Sequence, residues 1–232
     1  MSRQRGGLAK AAASRKIVEV GIVPIIRVES VSQAITAAEA VYAGGVAIVE
    51  VTMTVPGAVD AIAQLVKRLG KEVLVGAGTV LDVNDARRCL DAGARFLVSP
   101  GFDLETVKLA QDEDVPIIAG ALTATEVIMA WKAGADFVKV FPCSLVGGPK
   151  YIKALRGPLP QIPLVPTGGV NLETAADYIR AGATALGVGG ELVSTAALKA
   201  GRAQSITDAA KQYAAIVRET RNKLAAPASA GD

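Results

Sequence analysis

A closed (β/α)8 barrel with an extra N-terminal helix is the fold class this sequence predicts, and three observations predict it. Short apolar, β-branched runs alternate with amphipathic segments from about residue 17 to residue 220. Eight such runs recur at intervals of roughly 20 to 27 residues, the length of one βα unit. The runs are continuously apolar rather than alternating, so each strand is covered on both faces, as in a parallel sheet wrapped by helices. An open doubly wound sheet is the competing architecture. Its dinucleotide fingerprint is incomplete, because Gly76-Ala77-Gly78-Thr79-Val80 supplies only the first two glycines.

The elements follow in chain order. Residues 1–16 are expected to be an N-terminal extension. They lack acids and contain arginine and serine, a faint likeness to an organelle-targeting peptide; a plain helix with a frayed start is the other reading. Strands are expected at Val23–Arg27, Val46–Thr52, Val73–Gly76, Phe96–Ser99, Pro116–Ala119, Phe137–Phe141, Leu164–Pro166 and Ala185–Val188. Helical patterns such as Ser32–Val41, Asp82–Ala92 and Thr123–Trp131 lie between them. Ala43-Gly44-Gly45, Ala92-Gly93, Ala133-Gly134 and Ala181-Gly182 each end a helix before a strand, where a left-handed cap favours a residue without a Cβ. The barrel is expected to span 17–222, with 223–232 as a disordered tail.

Composition bounds the chemistry. At 232 residues and 51% hydrophobic, the chain is long enough for one large domain. Its 25 basic and 22 acidic residues are scattered, without the basic stripe that nucleic-acid binding needs, so the expected partner is a small molecule. The chain has no histidine, which excludes a Ser-His-Asp hydrolase and a histidine-ligated zinc site. Cys89 and Cys143 have no CxxC spacing, so neither a disulfide framework nor a metal site is expected, and a reducing cytoplasm fits. No apolar run reaches membrane-spanning length.

Two ionisable residues interrupt apolar strands. Lys139 lies within Phe137-Val138-Lys139-Val140-Phe141, and Glu50 within Ile48-Val49-Glu50-Val51-Thr52. In a barrel, functional groups gather at the carboxyl ends of the strands, and alternate strands supply one inward layer. Glu50 on the second strand and Lys139 on the sixth can therefore face each other across the lumen. A desolvated amine can condense with a ketone, and a desolvated carboxyl can shuttle the protons that such a cycle requires. A buried ion pair is the alternative, although it contributes little net stability once desolvation is counted.

Further candidates surround this pair. Thr167-Gly168-Gly169 after strand seven and Gly189-Gly190 after strand eight can form an anion cradle from backbone N–H groups, or serve as ordinary turns. Arg27 can hold a carboxylate or form a rim salt bridge. Thr79 can donate to the same carboxylate or cap a turn.

These residues resemble a known family, the class I 2-keto-3-deoxy-6-phosphogluconate (KDPG) and 4-hydroxy-2-oxoglutarate (KHG) aldolases. The likeness runs from about Ile17 to Val193 and includes Glu50-Val51-Thr52, Val75–Val80, Val98-Ser99-Pro100-Gly101, Lys139-Val140-Phe141-Pro142, Tyr151–Leu155 and Pro166-Thr167-Gly168-Gly169. The resemblance implies a Schiff-base lysine at Lys139, a general acid/base at Glu50, and substrate contacts at Thr79, Pro100 and Thr167. It also implies phosphate loops at Gly168, Gly169, Gly189 and Gly190, a 2-keto acid substrate, pyruvate as product, no metal or cofactor, and a homotrimer. Two departures stand out. Met53-Thr54 replaces the Leu-Arg that many members carry after the Glu-Val-Thr triplet, so carboxylate recognition is expected at Arg27. Glu191 follows Gly190 where many members have serine. KHG and 2-keto-3-deoxy-6-phosphogalactonate are alternative substrates; a phosphate-binding isomerase or a non-catalytic scaffold would be a different class.

Overall fold

The computed structural model describes residues 2–226. Helix α1 (Ser2–Val20) leads into β1 (Ile22–Ile26), α2 (Val31–Ala43), β2 (Ile48–Thr52), α3 (Ala58–Leu69) and β3 (Leu74–Gly78). Next come α4 (Val83–Asp91), β4 (Leu97–Val98), α5 (Leu104–Asp112), β5 (Ile117–Ala121), α6 (Ala124–Lys132) and β6 (Phe137–Val140). A 3-10 turn at Cys143–Val146 precedes α7 (Pro149–Arg156), β7 (Leu164–Pro166), α8 (Ala175–Arg180), β8 (Leu186–Val188), α9 (Thr195–Lys199) and α10 (Ala203–Ala225).

All strand pairs are parallel, in the order β7-β6-β5-β4-β3-β2-β1-β8. The cylinder closes between β7 and β8. There the Thr184 N–H donates to the Leu164 carbonyl at 2.8 Å and Thr167 bridges Gly187. The (β/α)8 expectation therefore holds, and the open sheet is excluded because no edge is left unpaired.

Local chemistry explains the boundaries. Ser30, Asp82 and Asp103 cap the N-termini of α2, α4 and α5 by accepting a backbone N–H from the third residue on. Thr123 and Glu126 form a reciprocal capping box on α6. The strands shift slightly from expectation. Strand β3 continues to Gly78 because it pairs in register with β2 as far as Thr52, whereas β4 contracts to two residues. Arg27 lies one residue past β1 rather than within it.

The N-terminal helix does not stop at residue 16. It continues to Val20 because Ile17 is fully buried in the common core. Arg221 ties this end to α10, donating to the carbonyls of Val18 at 2.8 Å, Glu19 at 3.0 Å and Thr184 at 2.7 Å. Of the tail expected at 223–232, Lys223, Leu224 and Ala225 instead belong to α10, as helix-favouring residues; residues 227–232 lie outside the described residues. No described helix is long and apolar enough to cross a membrane.

Candidate active site

The centre of the site follows from strand parity. Ile48, Glu50 and Thr52 share one face of β2, and Lys139 on β6 is in register with Gly120 of β5 and Val165 of β7. Glu50 is 2% exposed and Lys139 4%. Gly78 of β3 makes room for the acid, because a Cβ there would collide with the Glu50 carboxylate. On the facing side, a Cβ at Gly120 would run into the Pro100 backbone. Glycine here is a demand of space inside the lumen, and its φ values are ordinary.

Electrostatics then follow from burial. Desolvation pushes the Glu50 carboxyl above its usual range, opposed by the positive charges of Lys139 and Arg27. Desolvation pulls the Lys139 ammonium below its usual range; Glu50 opposes this and Arg27 adds to it. The two groups thus feel each other, yet they make no direct ion pair among the described residues. Glu50 Oε1 is buried and has no hydrogen-bond partner. A buried acceptor left open is costly, so the arrangement suits a reactant or a water between acid and amine rather than a structural salt bridge. The Lys139 Nζ sits 5.2 Å from the centre of the Phe141 ring, which retains some affinity for the charged form.

Beside this pair a cleft of about 270 Å³ opens between the carboxyl ends of β1, β7 and β8. Gly168 and Gly169 line one wall and Gly189 and Gly190 another. The first two have φ of 87° and 76°, a conformation that glycine adopts without strain. A Cβ at Gly189 or Gly190 would meet nothing within 4 Å, so these two face open space. Arg27 and Glu191 supply the charges of the cleft, and buried Thr167 forms part of its floor.

Six expected residues are thereby brought together: Arg27, Thr167, Gly168, Gly169, Gly189 and Gly190. Thr79 and Pro100 are not in this cleft. They follow β3 and β4 on the other side of the mouth, and Thr79 holds a left-handed φ of 56°, a strained geometry of the kind found at functional positions.

Three participants escaped the sequence reading. Thr52 is fully buried and donates to the Ile26 carbonyl at 3.1 Å; Phe141 packs beside the amine; Ser99 is 3% exposed and links the Gly101 carbonyl to the Gly120 N–H at 2.7 and 3.2 Å. The period of two was the available signal for the first pair, since Thr52 and Phe141 lie two residues beyond Glu50 and Lys139. Among the described residues no cluster of acids and cysteines is arranged to hold a metal ion.

A (β/α)8 barrel whose lumen holds a desolvated amine and a desolvated carboxyl is suited to carbonyl chemistry of the aldolase class, and the comparisons with known proteins place the chain in that class. The model of the KDPG and KHG aldolase family matches residues 14–209, and the chain belongs to that family. It is 38% identical over 199 residues to the 2-dehydro-3-deoxy-phosphogluconate aldolase of Treponema pallidum (strain Nichols), covering 85% of this chain and 94% of the relative. It is 36% identical over 204 residues to the KHG/KDPG aldolase of Escherichia coli (strain K12), covering 88% and 95%. Among solved structures, KDPG aldolase from Legionella pneumophila, with pyruvate captured at low pH as a covalent carbinolamine intermediate, superposes with a TM-score of 0.80. The sequence identity is 30%, and 86% of this chain and 96% of that one are covered.

Proposed function

We propose that the chain is a Schiff-base aldolase that cleaves KDPG to pyruvate and glyceraldehyde 3-phosphate, with Lys139 as nucleophile and Glu50 as general acid/base. The observation that carries this reading is the buried, unpartnered Glu50 oxygen facing the same lumen as a desolvated lysine. The neutral amine attacks the C2 ketone, giving a carbinolamine; Glu50 delivers a proton to the departing hydroxyl and an iminium forms. The iminium draws electrons from the C3–C4 bond. Glu50 accepts the C4 hydroxyl proton as the aldehyde leaves, then protonates the enamine at C3. Water hydrolyses the resulting iminium, which frees pyruvate and restores the amine.

Arg27 is assigned to the C1 carboxylate, with Thr79 and Pro100 contacting substrate from the rim and Thr167 from the floor of the cleft. Gly168, Gly169, Gly189 and Gly190 are assigned to the far end of the substrate through their backbone N–H groups. KHG and 2-keto-3-deoxy-6-phosphogalactonate would use the same steps, and relative kcat/KM on the three acids ranks them. The test of the reaction type is release of pyruvate from KDPG by the purified chain. An isomerase would leave the carbon skeleton whole, and that result would defeat the proposal. A cytoplasmic homotrimer completes the assignment, with the mass in solution as its check.

A further inference from the structure

The charge inventory of the cleft points past a phosphate-only substrate, on the footing of the aldolase assignment above. Two charged side chains line it, Arg27 and Glu191. Neither is spent elsewhere, since among the described residues neither side chain joins an ion pair. The Arg27 guanidinium acts electrostatically on both Glu50 and Lys139, so the cation belongs to the reacting end of the substrate. Glu191 directly follows the Gly189-Gly190 wall, so the anion belongs to the far end. Lys199, in the helix that follows, is engaged by Glu29 at 2.7 Å and cannot offset it. The charge of Glu191 acts on the fully buried Tyr213, whose hydroxyl has no hydrogen-bond partner, so the carboxylate makes no hydrogen bond back to α10.

A cradle for a dianion presents backbone N–H groups with no carboxylate beside them. Here it combines them with a carboxylate, which repels a phosphate and accepts hydrogen bonds from hydroxyl groups. We propose that Glu191 sets substrate specificity, extending the activity of this chain to unphosphorylated 2-keto-3-deoxy sugar acids that end in a free hydroxyl. The bond changes are those already given: C3–C4 breaks, the C4 hydroxyl proton passes to Glu50, and the products are pyruvate and an unphosphorylated aldehyde. The water released on iminium formation balances the water consumed in its hydrolysis. Glu191 accepts the terminal hydroxyl hydrogen and takes no part in these steps.

The experiment measures pyruvate release by the full chain from KDPG and from 2-keto-3-deoxygluconate, in wild type and in Glu191→Gln. Wild type is expected to cleave both. Glutamine keeps the size and removes the charge, so the ratio of kcat/KM for the phosphorylated over the unphosphorylated acid is expected to rise about tenfold or more. A wild type inactive on 2-keto-3-deoxygluconate, or a ratio unchanged by the substitution, overturns the inference. Failure of the underlying aldolase assignment has a different signature, because neither acid would then yield pyruvate.

Discussion

The two ends of the barrel put their polar groups to different uses. At the floor, where the strands begin, charged side chains are largely engaged, although Asp114 ahead of β5 keeps a buried oxygen without a partner and a left-handed φ of 54°. Arg221 satisfies three carbonyls, Lys10 meets Asp136 at 3.1 Å, and Ile17 of α1 is sealed into the core. At the mouth, Glu50 Oε1 is buried without a partner, Thr79 holds a left-handed φ, and Arg27 and Glu191 face a cleft. One end spends its polar groups on stability, whereas the other holds them open for something that arrives. Substitutions at the two ends should therefore separate stability from turnover.

The largest effect is expected for Lys139→Ala, which removes the nucleophile and should bring pyruvate release down to background while the chain stays folded by circular dichroism. Glu50 loses an opposing charge in this variant, but its carboxyl is already pushed above the usual range and can take up a proton, which keeps the site neutral and the chain folded. Glu50→Gln comes next. It should lower kcat by about 10²- to 10⁴-fold, the usual worth of a positioned acid/base, and still permit pyruvate to bond to Lys139. Full turnover in that variant would place the proton shuttle elsewhere.

Arg27→Ala tests the charge coupling. Its guanidinium disfavours the Lys139 ammonium and favours the Glu50 carboxylate, so its loss should raise both pKa values. Since attack needs the neutral amine, the acid limb of the kcat/KM profile should move to higher pH. KM for the 2-keto acid should also rise by about tenfold through loss of a charge-assisted contact. An unmoved acid limb would separate Arg27 from the pair. At the floor, Arg221→Ala should cost about 1–3 kcal/mol in denaturant unfolding, because three carbonyls lose their donor, with kcat nearly unchanged. A fall in kcat without a fall in stability would erase the contrast between the two ends.

Much of this contrast was legible before any coordinates. Lys139 and Glu50 stood out because charge within a continuous apolar run is rare, and strand counting put them on alternate strands of one layer. The glycine runs after β7 and β8 were legible for the same reason, as a motif at a predictable place. Thr52, Phe141 and Ser99 stood out less, since a threonine or phenylalanine at the end of a strand ordinarily signals propensity and a serine just past one signals a turn. The split of the mouth into a cleft holding Arg27 and a separate rim holding Thr79 and Pro100 was equally hidden. It depends on how loops from β1, β7 and β8 converge, which periodicity does not encode. The extension of α1 to Val20 escaped because an extension rich in Ala, Arg and Lys carries no stop signal, while the contact that prolongs it, Arg221, is some 200 residues away.

The central claim is that a poorly hydrated amine on β6 is the nucleophile. Borohydride reduction in the presence of pyruvate, followed by peptide mass spectrometry, tests it most directly. The expected result is a single reduced pyruvate adduct on the peptide containing Lys139, absent from Lys139→Ala. An adduct on another lysine, or none at all from an enzyme that still releases pyruvate from KDPG, would contradict it.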